Sequence, residues 1–188
     1  MEDILDIYKR PYDPKRPVVG LDEVPKQLIS EVKTPLPMLP GKERCYDYEY
    51  KRNGVGNLFM MFEPLMNKRH IKVKEHRRKK EWAGSIQYLV NEVYLEAEQI
   101  VLIMDNLNTH NKSSLYETFE PTEAKRLADK IDIHYTPKHG SWLNMAEIEI
   151  SILSRQCLGE RVGDIKQLEN VIIPWEEKRN RQGTKINW

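Results

Sequence analysis

The stretch that decides the fold is IVLIMDNLNTH, residues 100–110. Five apolar residues, Ile100 to Met104, run directly into Asp105, and polar residues follow. A short apolar run rich in β-branched residues predicts a strand buried on both faces, inside a sheet covered by helices. A buried carboxylate is costly unless it has a partner. Asp105 is therefore either a turn residue, since Asp-Asn favours turns, or a metal ligand at the rim of a sheet. This stretch alone leaves both interpretations open.

The composition is that of a charge-rich globular protein. The chain has 188 residues, of which 39% are apolar and 31% charged, with a net charge of +1. This length suits one domain with a core of its own, with or without a short arm. No apolar run approaches the roughly 20 residues of a membrane span, and the N-terminus lacks a signal-peptide pattern. We therefore expect a cytosolic protein without a membrane partner. Cys45 and Cys157 are isolated and suggest neither a disulfide framework nor a zinc knuckle.

A basic block, KRHIKVKEHRRKK, occupies residues 68–80 and contains eight Lys and Arg residues against one Glu. Such a block is often a solvated face or a mobile loop. It is also the electrostatic footprint of contact with a phosphate backbone. We favour the second interpretation only if other residues indicate nucleic-acid chemistry.

The start of the chain predicts an arm at residues 1–16 followed by three strands. The first, VVGL at 18–21, ends at Asp22 and so repeats the design of the opening stretch. CYDYEYKR at 45–52 alternates in the manner of a second strand, and NLFMMFEPL at 57–65 is the third. The intervening Asn-Gly-Val-Gly is a hairpin signal, so the last two strands are expected to pair antiparallel.

Alternating helices and strands follow, which gives the order β-β-β-α-β-α-β-α-α. This order implies a mixed sheet with helices on its faces. Helical spacing, turn residues and caps set the predicted bounds. The predicted helices are 79–97, 113–130 with a break near Pro121, 141–158 with Ser141 as N-cap, and 164–180, and the predicted strands are 100–105 and 131–137.

A divalent metal held mainly by protein carboxylates needs a third acidic residue beside Asp22 and Asp105. The helix predicted at 141–158 offers Glu147 and Glu149, which lie on opposite flanks of its apolar stripe. Periodicity does not choose between them.

The first ligand also has rivals. Besides Asp22, the acidic residues Glu23, Asp47 and Glu49 precede the basic block. Asp47 and Glu49 lie on the non-aromatic face of a predicted strand, where a solvated or hairpin-pairing role is expected.

IVLIMDNLNTH at 100–110 and HYTPKHGSWLNMAEIEISILSRQCL at 134–158 resemble the catalytic domain of DDE transposases. They are similar in particular to the bacterial insertion-sequence (IS-six-thirty) branch of the mariner superfamily. The likeness continues through VVGLDEVPKQLI (18–29), RCYDYEYKRNGVGNLFM (44–60) and WEEKRNRQGTKINW (175–188). It covers nearly all of residues 16–188. The resemblance implies a ribonuclease-H-like α/β fold, a mixed five-stranded sheet with helices on both faces.

The resemblance also chooses among the acidic residues. The family pattern places one directly after Leu-Asn-x-x, which is Glu147 here, and an Asp followed by Glu on the first strand, which is Asp22. It thereby implies Asp22, Asp105 and Glu147 as a catalytic triad that binds two Mg²⁺ or Mn²⁺ ions, with Asp105 bridging them. Glu149 becomes a helix-surface or supporting residue. Two ions about 3.5–4 Å apart suit the in-line displacements of DNA strand cleavage and strand transfer.

Further polar residues near the predicted triad receive supporting roles. His110 and His139 follow strand ends. Each either contacts a phosphate, orients a carboxylate or serves as a loop residue. The asparagines position carboxylates or the DNA backbone, or else act in turns and caps. With DNA chemistry indicated, the basic block gains a role in backbone contact. The predicted supporting residues are Asn106, Asn108, His110 and Asn144, and the predicted DNA-binding residues are Arg77, Arg78, Lys79, Lys80, Lys138 and His139.

The resemblance implies a domain organisation as well. After the arm at 1–16, a DDE transposase or endonuclease catalytic domain covers 17–188. Full-length relatives carry an N-terminal helix-turn-helix region, for which there is no room before Asp22, and continue past the Asn-Trp at 187–188. We therefore expect a catalytic domain or shortened reading frame that retains metal-dependent strand cleavage and binds DNA mostly nonspecifically.

The implied partners are transposon ends and target DNA. Assembly on DNA implies a homo-oligomer, and the implied location is the bacterial cytoplasm, at the nucleoid when DNA is bound. A catalytically incompetent remnant that acts only as a DNA-binding or regulatory module is the alternative.

Overall fold

The computed structural model describes residues 1–43, 45, 47–107 and 110–183. Five strands form one sheet in the described part of the chain: β1 Val18–Glu31, β2 Tyr50–Glu63, β3 Lys68–Lys74, β4 Ile100–Met104 and β5 Ile131–Tyr135. The strand order is β3-β2-β1-β4-β5. β2 pairs antiparallel with both β1 and β3, whereas β1–β4 and β4–β5 are parallel pairs. The predicted mixed five-stranded sheet is confirmed.

Six α-helices surround this sheet within the described ranges: α1 Glu2–Tyr8, α2 Lys79–Tyr88, α3 Ser113–Thr118, α4 Pro121–Lys130, α5 Met145–Gln156 and α6 Ile165–Gln182. A π-helical turn, Leu89–Val93, continues α2, and a 3₁₀ turn, Ser141–Leu143, precedes α5. Pro121 occupies the first turn of α4, so the predicted break between α3 and α4 is confirmed. None of the helices described here is long and apolar enough to cross a membrane.

The two faces of the sheet bury separate hydrophobic clusters. One cluster lies between the sheet and α1, α5 and α6, and the other lies between the sheet and α2, α3 and α4. The side chains of β4 alternate between them: Val101 and Ile103 belong to the first, and Ile100, Leu102 and Met104 to the second. β4 is therefore buried on both faces, as its unbroken apolar run predicts.

The hairpin predicted at residues 53–56 is wrong. β2 runs straight through this segment and pairs with β1 from Glu31–Tyr50 to Gly20–Phe62. A Cβ on Gly56 would lie 2.8 Å from Leu168 of α6, so this glycine permits close helix packing rather than a turn. Long-range pairing with the 14-residue β1 overrides the local turn signal. The chain turns later, between β2 and β3, where Asn67 has a positive φ of 54°.

The third strand comes from the start of the basic block, and its outer edge is covered by α6. The backbone N–H of Arg69 donates to Asn180 Oδ1 at 2.9 Å, and Asn180 Nδ2 donates to the Arg69 carbonyl at 2.8 Å. The N–H of Ile71 donates to Glu176 Oε2 at 3.2 Å. An edge strand whose backbone groups are covered in this way is protected from pairing with another chain.

The predicted arm at residues 1–16 begins with α1, which packs against the body of the protein. Ile4, Ile7 and Tyr8 are buried, and the Tyr8 hydroxyl donates to the Leu143 carbonyl at 2.8 Å. The prediction of an arm rested on the prolines that follow this short helix and not on the spacing of its apolar residues. The domain boundary at residue 17 remains a prediction.

Candidate active site

Two parallel strands bring Asp22 and Asp105 to the same edge of the sheet. Gly20 of β1 is paired with Ile103 of β4, and each aspartate lies two residues further along its own chain. Residues two apart on a strand share a face. A Cβ on Gly20 would lie 3.3 Å from the Ala146 nitrogen of α5, so this is the face that α5 covers. The regular geometry of β1 therefore directs Asp22 toward the start of α5.

Asn144 fixes the start of α5 against β1. Its Oδ1 accepts a hydrogen bond from the Ala146 N–H at 3.2 Å, which makes it the N-cap of the helix. Its Nδ2 donates to the Leu21 carbonyl at 2.8 Å, one residue before Asp22. The predicted N-cap, Ser141, is wrong, because residues 141–143 form the 3₁₀ turn. Glu147 consequently lies in the first turn of α5, with an exposed side chain.

The electrostatic environment of Asp22 reflects this placement. Burial raises the pKa of Asp22, and the negative charges of Asp105, Glu147 and Glu23 raise it further. The Glu23 N–H, which donates to Asp22 Oδ1 at 2.8 Å, opposes these effects. The resulting pKa is about 6. The charges at the end of β4 and on α5 therefore contribute to the raised pKa of Asp22 on β1.

His110 connects two of these carboxylates. Its Nδ1 lies 2.8 Å from Asp105 Oδ1, and its Nε2 lies 2.8 Å from Glu23 Oε1. A neutral imidazole has only one N–H, so both contacts are hydrogen bonds only if the ring is doubly protonated or a carboxyl group carries the proton. Burial lowers the pKa of His110, but the hydrogen bonds to Asp105 and Glu23 outweigh burial and raise it to about 9.

The chemistry of the predicted triad fits a divalent cation. Within the described residues, no group of three or more His, Cys, Asp or Glu side chains is already arranged to hold a metal ion. The donor set of Asp22, Asp105 and Glu147 nevertheless consists of carboxylate oxygens, which Mg²⁺ and Mn²⁺ prefer. A cation would also relieve the repulsion that raises the pKa of Asp22. Asp22, Asp105 and Glu147 therefore remain the predicted metal ligands at this edge.

Glu149 lies inside the protein rather than on the helix surface, so the surface role expected for it is wrong. It is 1% exposed, and its Oε2 lies 3.0 Å from Arg69 Nε and 3.2 Å from Arg179 Nε. Two residues of helix correspond to about 200° of rotation. The rotation that leaves Glu147 exposed therefore directs Glu149 toward β3 and α6.

The predicted DNA-binding residues follow the ends of two strands. β3 runs parallel to β1 because each is antiparallel to β2, so the basic residues after β3 begin at the edge where Asp22 lies. Lys138 and His139 follow β5 at the same edge, and His139 has a φ of 73°. Lys79 is engaged by Glu117, with 2.6 Å between Nζ and Oε1. The exposed members of the set are Arg77, Arg78, Lys80, Lys138 and His139.

The predicted supporting residues that the structure describes lie in different environments. His110 contacts Asp105 and Asn144 caps α5, as described above, whereas Asn106 is exposed. Asn108 lies outside the described residues. The sequence did not indicate that Glu23 is the second partner of His110. Strand alternation was the available signal, because it directs Glu23 away from the face of Asp22 and toward α2.

Comparison with known proteins identifies the family to which the chain belongs. A family model described as DDE superfamily endonuclease matches residues 17–169. The chain belongs to this family of DDE superfamily endonucleases. A comparison with curated proteins gives no match.

Two solved structures show a similar fold. One is the Mos1 mariner paired end complex with Mn, with a TM-score of 0.60, 14% identity, and coverage of 97% of this chain and 55% of that one. The other is a pre-cleavage Mos1 transpososome, with a TM-score of 0.57, 12% identity, and coverage of 99% and 61%. The chain thus spans little more than half of these proteins. The likeness confirms the ribonuclease-H-like fold, while membership of the IS-six-thirty branch remains a prediction.

Proposed function

We propose that this chain is the catalytic domain of a transposase that cleaves and joins DNA strands by metal-dependent in-line phosphoryl transfer. The observation that carries the proposal is geometric: the pairing of Gly20 with Ile103 brings the strand ends of Asp22 and Asp105 together, and Asn144 fixes the start of the helix that bears Glu147 against β1. Family membership supports the nuclease chemistry. Of the two Mos1 structures of similar fold, one is a paired end complex with Mn and the other is a pre-cleavage transpososome.

In this proposal Asp22, Asp105 and Glu147 would hold two Mg²⁺ or Mn²⁺ ions. When bound, such ions would supply activation of the attacking oxygen and stabilisation of the leaving oxygen at phosphorus. The residues of the chain supply position: His110 orients Asp105, and Asn144 sets the distance between the strand of Asp22 and the helix of Glu147.

The DNA in this proposal lies across the same edge. Exposed Arg77, Arg78, Lys80 and Lys138 would contact its phosphates, together with His139, and such contacts position a backbone without reading its sequence. We further propose that the protein assembles as a homo-oligomer on transposon ends and target DNA, in the bacterial cytoplasm.

A plasmid-nicking assay tests the proposal. Wild type should convert supercoiled DNA to the nicked form with Mg²⁺ or Mn²⁺ but not with chelator, and Asp105→Asn should abolish this. Asp132→Asn is the matched control, because Asp132 lies on neighbouring β5 and pairs with Arg16 away from the triad. Equal nicking by wild type and Asp105→Asn would remove the enzymatic function.

The second candidate function is a catalytically incompetent remnant that only binds DNA or regulates. The exposed basic residues at the same end of the sheet would serve that function without a metal ion. Retention of DNA binding without metal-dependent nicking in the same assay would favour this module.

A further inference from the structure

Glu23 contacts Asp22 directly and is connected to Asp105 through His110. Its backbone N–H donates to Asp22 Oδ1 at 2.8 Å. Its Oε1 lies 2.8 Å from His110 Nε2, and His110 Nδ1 lies 2.8 Å from Asp105 Oδ1. A continuous chain of polar contacts therefore runs from Asp22 on β1 through Glu23 and His110 to Asp105 at the end of β4.

The side chain of Glu23 lies behind the site rather than in it. It is 5% exposed and points to the opposite face of β1 from Asp22. The ionised form of such a buried carboxylate is costly unless it is paired. His110 is the partner that the geometry provides. This arrangement suits a residue that supports a ligand better than one that is itself a ligand.

His110 is held firmly enough to transmit this support. It is 1% exposed, and its ring stacks on buried Trp82 with 6.1 Å between centroids and 23° between planes. The Tyr135 hydroxyl donates to its carbonyl at 2.7 Å. With both ring nitrogens and one ring face in contact, the imidazole orientation depends on Glu23 as well as on Asp105.

We propose that Glu23 is a positioning residue that orients Asp105 through His110 and thereby tightens the binding of a divalent cation by the site. The inference rests on the proposed function, since it assigns Glu23 a role toward the same carboxylates. Outer residues that hold metal ligands in place typically change metal affinity or activity by about 10–100-fold when they are removed.

Direct Mn²⁺ binding, measured on the full chain by electron paramagnetic resonance, tests this inference without relying on activity. Glu23→Ala should weaken Mn²⁺ binding by at least about 10-fold. Glu23→Gln should recover most of the affinity, because its amide oxygen still accepts from Nε2 of His110. Glu63→Ala is the matched control, because Glu63 is 3% exposed on β2 and bonded to Tyr94 away from the triad.

A double-mutant cycle separates positioning from general loss of structure. In a His110→Ala background, Glu23→Ala should weaken Mn²⁺ binding little further, because the connection to Asp105 is already broken. Additive losses, or a loss in Glu23→Gln equal to that in Glu23→Ala, would overturn the inference. Circular dichroism and thermal melting of each variant verify that it is folded.

The result for wild type distinguishes the inference from the proposed function. If wild type binds Mn²⁺ and nicks DNA while Glu23→Ala binds as tightly as wild type, the positioning role fails and the proposed function stands. If wild type neither binds Mn²⁺ nor nicks DNA, the proposed function fails and the inference fails with it.

Discussion

Charged side chains cluster in two regions of this protein, and the two regions differ in how that charge is balanced. The acidic site comprises Asp22, Glu23, Asp105, His110 and Glu147. The Arg69 cluster comprises Asn67, Arg69, Glu149, Arg179 and Asn180. The acidic site has four carboxyl groups and one imidazole, which contacts Asp105 and Glu23, so acidic groups are in excess. In the Arg69 cluster two guanidinium groups surround one carboxylate, and asparagine side chains accept further N–H groups.

The charged groups of the Arg69 cluster contact one another and neighbouring asparagines within the fold. Arg69 is 0% exposed, and its Nη2 donates to Asn67 Oδ1 at 2.7 Å while Nη1 donates to Asn180 Oδ1 at 3.2 Å. Arg179 donates to both oxygens of Glu149 at 3.2 Å. The cluster thereby ties β3, α5 and α6 together. It is a structural element that needs no ligand, whereas the excess negative charge of the acidic site favours a cation.

The largest expected effect comes from breaking the Arg69 cluster. Arg69→Met leaves the carboxylate of Glu149 in the core with only Arg179, and removing one partner of a buried ion pair typically costs about 3–5 kcal/mol. Urea unfolding should show a fall in the free energy of unfolding of this size. Arg179→Met should cost less, since Arg179 is 14% exposed and Glu149 retains Arg69. A loss in Arg69→Met no larger than in Arg179→Met would contradict the central role of Arg69.

The next effect is a pH dependence of the free energy of unfolding, which the acidic site causes in the absence of metal. Burial first, and then the negative charges of Asp105, Glu147 and Glu23, raise the pKa of Asp22 from 3.8 to about 6. A raised folded-state pKa gives a stabilising contribution that is complete below pH 3.8 and is lost as pH rises through about 6. The shift corresponds to about 3 kcal/mol at most.

Urea unfolding in chelator between pH 4 and 7 measures this contribution. The free energy of unfolding of wild type should fall relative to that of Asp22→Asn as pH rises, because the variant has no carboxylate to ionise. Asp132→Asn should keep the wild-type dependence. Parallel curves for wild type and Asp22→Asn would show that the charges around Asp22 are not coupled.

The two regions also differ in how far the sequence predicts them. β4 and β5 were located to within a residue or two, because burial on both faces leaves a local apolar run. The apolar run of β4 ends at Asp105, so the sequence alone points to one residue of the acidic site. The strands β2 and β3 were misplaced because their bounds depend on pairing with β1 and on the packing of α6 at Gly56.

The Arg69 cluster could not have been predicted from local pattern. Arg69 lies in a run of basic residues typical of an exposed surface, and its burial depends on Glu149 and Arg179, which are remote in sequence. Periodicity left Glu147 and Glu149 equivalent, and only family resemblance favoured Glu147 as a ligand. Glu147 and Glu149 differ in environment because of where α5 lies in the fold. Glu149 contacts Arg69 of β3 and Arg179 of α6, whereas Glu147 is exposed. The contact of Glu23 with His110 is equally a product of tertiary structure.

The smallest expected effect is on the salt dependence of DNA binding. It separates the buried charge of Arg69 from the exposed charges of the basic block. Arg77→Ala and Lys80→Ala should each reduce the slope of log affinity against log salt by about 0.9 for a nonspecific duplex, if each side chain displaces one counterion. Fluorescence anisotropy between about 50 and 200 mM salt measures this slope. Lys79→Ala should change it less, because Glu117 already engages Lys79 at 2.6 Å. A folded Arg69→Met variant should leave the slope unchanged, because Arg69 has no exposed surface for a phosphate. An equal change of the slope in all four variants would contradict this expectation. It would mean that the basic block binds DNA through its summed charge and not through its exposed side chains.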